Sequence, residues 1–185
     1  MLSAADLERV RAREPAALER FFDEHFDRVF GLLYRLTSDR ATAEDLTQET
    51  FLKIHRALGS LDPSRDPWPW VATIATNVCR DHWGAASSRL QARSDSIDGE
   101  PARTDLRDGG TNPEEATRAL QEAALLQEAL GKLAEPARLL VLLHDWQGLR
   151  HDEIAQITGQ SHAAVRQQYG RALALLRGLL GNLRP

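Results

Sequence analysis

Cysteine is almost absent. Cys79 stands alone, so no internal disulfide can form, and no Cys/His cluster has the spacing of zinc ligands. Long apolar runs are missing too: none reaches the ~18 residues that a membrane span needs. The opening stretch MLSAADLERVRAREP alternates charge with small residues and has no apolar core, unlike a secretory signal. These absences predict a soluble protein of a reducing cytoplasm, with no membrane insertion, no metal and no cofactor. Positive charge is in short supply as well. The chain carries 23 Lys and Arg against 27 Asp and Glu, a net charge of −4, which argues against coating nucleic acid by bulk charge. A local basic surface is still allowed. What is present is ordinary for a globular protein: 42% hydrophobic and 27% charged residues over 185 positions are enough for one domain or two small ones.

The periodicity is helical nearly throughout. Within Pro15–Thr37, Leu18, Phe22, Phe26, Val29, Phe30, Leu33 and Leu36 recur at steps of three and four, marking one buried helix face. Thr42-Ala-Glu-Asp45 reads as a capping box opening a second helix that runs to about Leu58. Gly59–Pro69 is rich in breakers and predicts a loop, followed by a third helix from about Trp70 to Trp83 with Val71, Ile74, Ala75 and Val78 inward. Ser87 to Ala116 holds four serines, three glycines, two prolines and seven acids, with few large apolar residues, and predicts a mobile acidic linker. Helical periodicity resumes near Thr117 and continues through a helix starting at Pro136 and ended by Gly148. Two further helices are separated at Thr158-Gly-Gln-Ser161. No alternating strand pattern stands out, so the fold class expected is all-α. Its parts are a helical domain over 1–86, the linker over 87–116, and a smaller helical domain over 117–185.

Three constellations carry functional information. The first is Asp152 to Tyr169, which has the spacing of a helix-turn-helix: Ala155 is small where the helices cross, Gly159 suits a turn needing positive φ, and Ser161 can cap the second helix. Val165, Tyr169 and Leu173 would hold that helix on its partner, leaving His162, Arg166, Gln167 and Arg171 outside. Arginine and glutamine can read base edges in a major groove and also bind phosphates. From Ile154 onward there is no acid, only Arg166, Arg171, Arg177 and Arg184, although arginines also suit a helix C-terminus. The second is Ala43–Leu58. An inner stripe of Ala43, Leu46, Thr50, Phe51, Ile54 and Leu58 leaves Asp45, Gln48, Glu49, Leu52 and Arg56 as a continuous outer row, polar with one leucine. The row resembles a protein-docking surface, although such charged residues singly are more often plain solvated surface. The third is Asp62–Trp83. Here Trp68, Trp70 and Trp83 are interleaved with Arg65, Thr73, Thr76, Asn77, Arg80 and His82, a mixture able to stack and hydrogen-bond unpaired bases. For any single tryptophan a core position is favoured, and for Asn77 and Arg80, on the polar side with Thr73 and Thr76, a ligand.

In this order and spacing the segments resemble the sigma-70 family of bacterial transcription initiation factors, in its small extracytoplasmic-function type. The resemblance is carried by Arg35-Leu-Thr-Ser-Asp-Arg40, Ala43-Glu-Asp-Leu-Thr-Gln-Glu-Thr-Phe51, Trp70-Val-Ala-Thr-Ile-Ala-Thr-Asn77 with Asp81, and the helix-turn-helix. It implies that Asp45, Gln48 and Glu49, with Leu52 and Arg56 in the same row, meet core RNA polymerase at the large-subunit clamp, with the flap as a further contact. The Leu61–Pro69 loop and the Asn77 helix, with Arg65, Trp70, Thr73, Thr76, Arg80 and His82, would capture the melted −10 strand. Ser161, His162, Arg166, Gln167 and Arg171 would read the −35 duplex. The linker would thread toward the polymerase cleft, and an anti-sigma factor is an implied partner. The implied role is non-catalytic. One departure is Trp83-Gly-Ala-Ala-Ser-Ser, where many relatives carry an arginine-rich run.

Two other readings compete. A stand-alone helix-turn-helix regulator would explain residues 137–179 but leave the Asp45–Arg56 row without a use. A metal-dependent phosphohydrolase is prompted by His144-Asp145 and His151-Asp152, yet the further ligands it needs are not evident.

Overall fold

The computed structural model describes residues 2–92 and 113–183, and among them there is no strand. The described residues form two compact units, 2–34 with 41–92 and 35–40 with 113–183. The linker expected over 87–116 largely falls outside the described residues.

The first unit starts with α1 (Ala4–Arg11), which the apolar periodicity did not announce. It is a capping product: the Ser3 hydroxyl accepts the Asp6 N–H at 3.1 Å, and the Asp6 carboxylate accepts the Ser3 N–H at 3.0 Å. Only Leu7 and Val10 of α1 are buried. Next comes α2 (Pro15–Thr37), with the bounds its periodicity predicts. The third helix, α3, covers Arg40–Ala57 and so begins before the expected Thr42 cap. Thr42 lies in its first turn, and Asp39, a residue type that favours caps, immediately precedes it. A 3-10 turn (Leu58–Ser60) leads into a short loop. Finally α4 runs from Trp68 to Ala92, longer at both ends than the predicted Trp70–Trp83. Pro69 does not bar the earlier start, because proline in a helix's first turn gives up an N–H that has no partner there anyway.

The core of this unit joins Phe21, Val29, Leu32 and Leu33 of α2 to Leu46 and Ile54 of α3 and to Trp68, Val71 and Val78 of α4. Trp68 is 1% exposed, so it belongs to the core. His25 is buried beside it: its ring stacks on Phe21 at 4.4 Å and on Trp68 at 6.2 Å, and its Nδ1 lies 2.8 Å from the Phe21 carbonyl oxygen. The Arg28 guanidinium sits 3.8 Å from the Trp68 ring centre, a cation–π contact. Cys79 is fully buried and serves as small packing.

The second unit contains α5 (Pro113–Gly131), α6 (Glu135–Val141, extended by a π-helical turn over Leu142–Trp146), α7 (His151–Thr158) and α8 (His162–Leu183). Pro136 lies at the start of α6 as predicted, and Gly148 closes the π turn at φ +68°. Leu130, Leu133, the run Leu139–Leu143, Ile154, Ile157, Val165, Ala172 and Leu176 form its core.

Burial lowers the pKa of His25 below its ordinary 6.5, since desolvation penalises the imidazolium. Protonation therefore favours the unfolded chain. The stability tied to neutral His25 is complete above 6.5 and is lost as pH falls from there through the lower folded value. Thermal melts at a series of pH values are expected to show a smaller acid loss for His25→Phe, which keeps the stack, than for the wild type; equal losses would remove His25 as the cause.

Candidate docking and nucleic-acid interfaces

On α3 the buried flank decides which side chains face outward. Ala43, Leu46, Thr47, Thr50 and Ile54 are buried, and the two threonine hydroxyls donate to the carbonyls of Ala43 and Leu46 at 2.7 Å each, so they cost no unpaired polar group. Thr47 was not in the predicted stripe. Asp45, Gln48, Glu49 and Arg56 are exposed, and Leu52 is 59% exposed, so the predicted row stands on one open face. Phe51 departs from its expected inner place: it is half-exposed and packs on Phe22 at 5.0 Å and Phe26 at 6.0 Å. Phe26 is itself 49% exposed, so α2 adds apolar surface that periodicity had assigned to the core.

Lys53 ties this row to α4. Its ammonium lies 3.1 Å from both Glu49 and Asp81. The Glu49 hydrogen bond first, and the Asp81 bond against a small desolvation cost, hold its pKa above the usual lysine value. Exposed pairs of this kind stabilise a fold by only about 0–1 kcal/mol. Their consequence is positional, fixing Asp81 of α4 beside the outer face of α3.

The third constellation is divided by burial. Asn77 and Arg80 are exposed on α4, one helical turn apart. Trp70 is half-buried and donates its indole N–H to Ser60 Oγ at 3.1 Å, while half-buried Thr73 donates to the Pro69 carbonyl at 2.7 Å. Arg65 is exposed and pairs with Asp62 at 3.3 Å; His82 is half-buried. Thr76 does not belong to this surface. It is fully buried, and its hydroxyl has no partner among the described residues. The reason is register: Thr76 follows Ala72 by four residues and precedes Cys79 by three, and both are fully buried.

In the second unit Gly159 ends α7 at φ +70°, the left-handed conformation its place in the motif predicts. Ser161 precedes α8 and its Oγ accepts the Ala164 N–H at 3.2 Å. His162, Arg166, Gln167 and Arg171 are exposed on α8. The inward stripe differs from expectation: Val165, Ala172 and Leu176 are buried, whereas Tyr169 and Leu173 are half-exposed. Arg184 lies outside the described residues.

Tyr169 has a partner that spacing within the motif could not show. Its hydroxyl donates to Asp145 at 2.7 Å, and desolvation together with this bond pushes its pKa up to about 12. His144 stacks on His151 at 4.4 Å, with Tyr169 edge-on to both at 4.7 and 5.1 Å. The two His-Asp pairs are thus engaged elsewhere: His144 faces the Leu149 carbonyl at 2.8 Å, and Asp152 pairs with Arg150 at 2.9 Å. Among the described residues no group of three or more His, Cys, Asp or Glu is placed to hold a metal ion. No helix among them is long and apolar enough to cross a membrane.

Comparison with known proteins matches residues 21–89 to sigma-70 region 2 and residues 123–176 to sigma-70 region 4. The chain is 33% identical over 176 residues to the ECF RNA polymerase sigma factor BldN of Streptomyces coelicolor, covering 94% of this chain and 64% of BldN. It is 34% identical over 178 residues to the RNA polymerase sigma factor CarQ of Myxococcus xanthus, covering 96% of this chain and 97% of CarQ. In fold it is similar to the sigma factor RpoE of Bartonella quintana, solved in complex with the anti-sigma factor NepR. That match has a TM-score of 0.72 at 19% identity and covers 90% of this chain and 98% of that one.

A Cβ on Gly159 would meet nothing within 4 Å, so Gly159→Ala is opposed by backbone conformation alone, at about 1–2 kcal/mol. Ser161→Ala removes a cap worth about 0.5–2 kcal/mol. Urea titrations should rank both variants below the wild type, and an unchanged midpoint for Gly159→Ala would contradict the left-handed turn.

Proposed function

Because the chain belongs to the sigma-70 family of RNA polymerase sigma factors, in its extracytoplasmic-function branch, its work is promoter-directed transcription initiation, and we propose how its surfaces divide that work. The first helical domain, residues 1–86, docks on core polymerase at the large-subunit clamp through Asp45, Gln48, Glu49, Leu52 and Arg56. Support comes from the open face on which these residues stand, with Leu52 as an apolar anchor amid charge. The same domain holds the melted −10 strand through Asn77 and Arg80, aided by Arg65, Trp70, Thr73 and His82. The exposed amide and guanidinium on α4 and the partly open indole are groups that unstacked bases accept.

The second helical domain, residues 117–185, reads the −35 duplex through His162, Arg166, Gln167 and Arg171, with Ser161 setting the start of the reading helix. The flap of polymerase is its further contact. The acidic stretch between the two domains, expected over 87–116, threads toward the polymerase cleft. An anti-sigma factor regulates access to these surfaces; the similar fold of RpoE was solved in complex with the anti-sigma factor NepR. The protein acts by binding rather than by catalysis, in the cytoplasm where promoters are transcribed. A stand-alone operator binder is less well supported, since it leaves the region 2 match and the Asp45–Arg56 row unexplained.

Co-elution with purified bacterial core polymerase tests the central claim. Wild type should bind, and the double variant Asp45→Ala/Glu49→Ala should lose affinity by about tenfold or more, as expected when two central contacts are truncated. Folded wild-type protein that fails to co-elute would overturn it.

A further inference from the structure

Three histidines and a tyrosine meet at the helix-turn-helix, although they come from three elements. His144 lies in the π turn after α6, His151 opens α7, and His162 and Tyr169 belong to α8. His151 is at the centre: it stacks on His144 at 4.4 Å, and it meets Tyr169 edge-on at 5.1 Å and His162 edge-on at 6.2 Å. Its Nε2 is buried and has no hydrogen-bond partner among the described residues. The charged and titratable groups that act on it are His144 and Asp145 from the α6 extension and His162 and Arg166 from α8, and Asp145 alone among them favours its charged form. That carboxylate already accepts the Tyr169 hydroxyl, and Arg177 also acts on Tyr169.

We propose that His151 is the positioning residue of the DNA-reading helix: its neutral ring seats α8 through Tyr169 and His162, and its protonation unseats that helix. The inference rests on the reading of α8 as the duplex reader. A cation at position 151 would lie against a stacked imidazole and near Arg166, with no acceptor at its buried Nε2. Burial first, then His144, His162 and Arg166, keep its pKa below the ordinary 6.5, so the seated state is the neutral one. Duplex binding by the seated state therefore releases a proton and weakens as the solution is acidified. The sign is diagnostic, because simple gain of positive charge tightens phosphate binding instead.

The test measures binding of the full chain to a labelled DNA duplex at low salt by fluorescence anisotropy, from about pH 8 to about pH 5.5. The same solutions are followed by NMR of the histidine imidazoles and the Tyr169 ring. Wild-type affinity should fall with acid by up to about tenfold per pH unit, the limit for one proton. His151→Phe keeps a ring, forfeits no bond at Nε2 and should abolish that acid loss; a His25→Phe background removes the acid response of buried His25. Tighter wild-type binding in acid, or the same acid loss in His151→Phe, overturns the proposal. Absence of duplex binding at every pH instead overturns the reading of α8. The NMR arm then decides the seat: Tyr169 signals that move with His151 titration support it, and Tyr169 signals indifferent to that titration refute it.

Discussion

The burial of one flank of each helix is the constraint on which the functional surfaces depend. Once α3 commits Ala43, Leu46, Thr50 and Ile54 to the core, the residues at about half a turn from them have nowhere to go but solvent. Asp45, Gln48, Glu49, Leu52 and Arg56 are therefore displayed by the same contacts that fold the unit. Exposing Leu52 has a cost, since apolar burial is worth about 25 cal/mol per Å², and a leucine left open amid charge is what an interface would recover on docking.

Between the two faces of the first unit lies a small electrostatic device. Lys53 reaches Glu49 on its own helix and Asp81 on α4, so a residue of the exposed α3 row and one near Asn77 and Arg80 share a counter-ion. The strength of such exposed pairs is modest. Their geometric effect is larger, because one ammonium links the outer face of α3 to the exposed side of α4.

The second unit solves a different problem. Helix α8 offers few large buried residues, with Val165, Ala172 and Leu176 inward and Leu175 left 61% exposed. An aromatic seat makes up for this: Tyr169 is held by Asp145 and flanked by His144 and His151. Such a seat gives firm orientation at neutral pH and makes that orientation sensitive to acid, which an aliphatic contact would not.

The local pattern of residues determined several parts of this picture. The bounds of α2, the exposed row on α3, the left-handed Gly159 and the Ser161 cap all follow from interactions spanning at most a few residues, which a linear pattern records directly. The family, too, was legible, because its motifs are contiguous strings. Tertiary structure alone decided the rest. Thr76 is polar yet buried, since the register of α4 against its neighbours overrides side-chain polarity. Lys53 meets Asp81 across 28 residues, and Tyr169 meets Asp145 across 24. Helical periodicity says which residues share a face, but not which distant face will cover them. That is settled only when the helices pack.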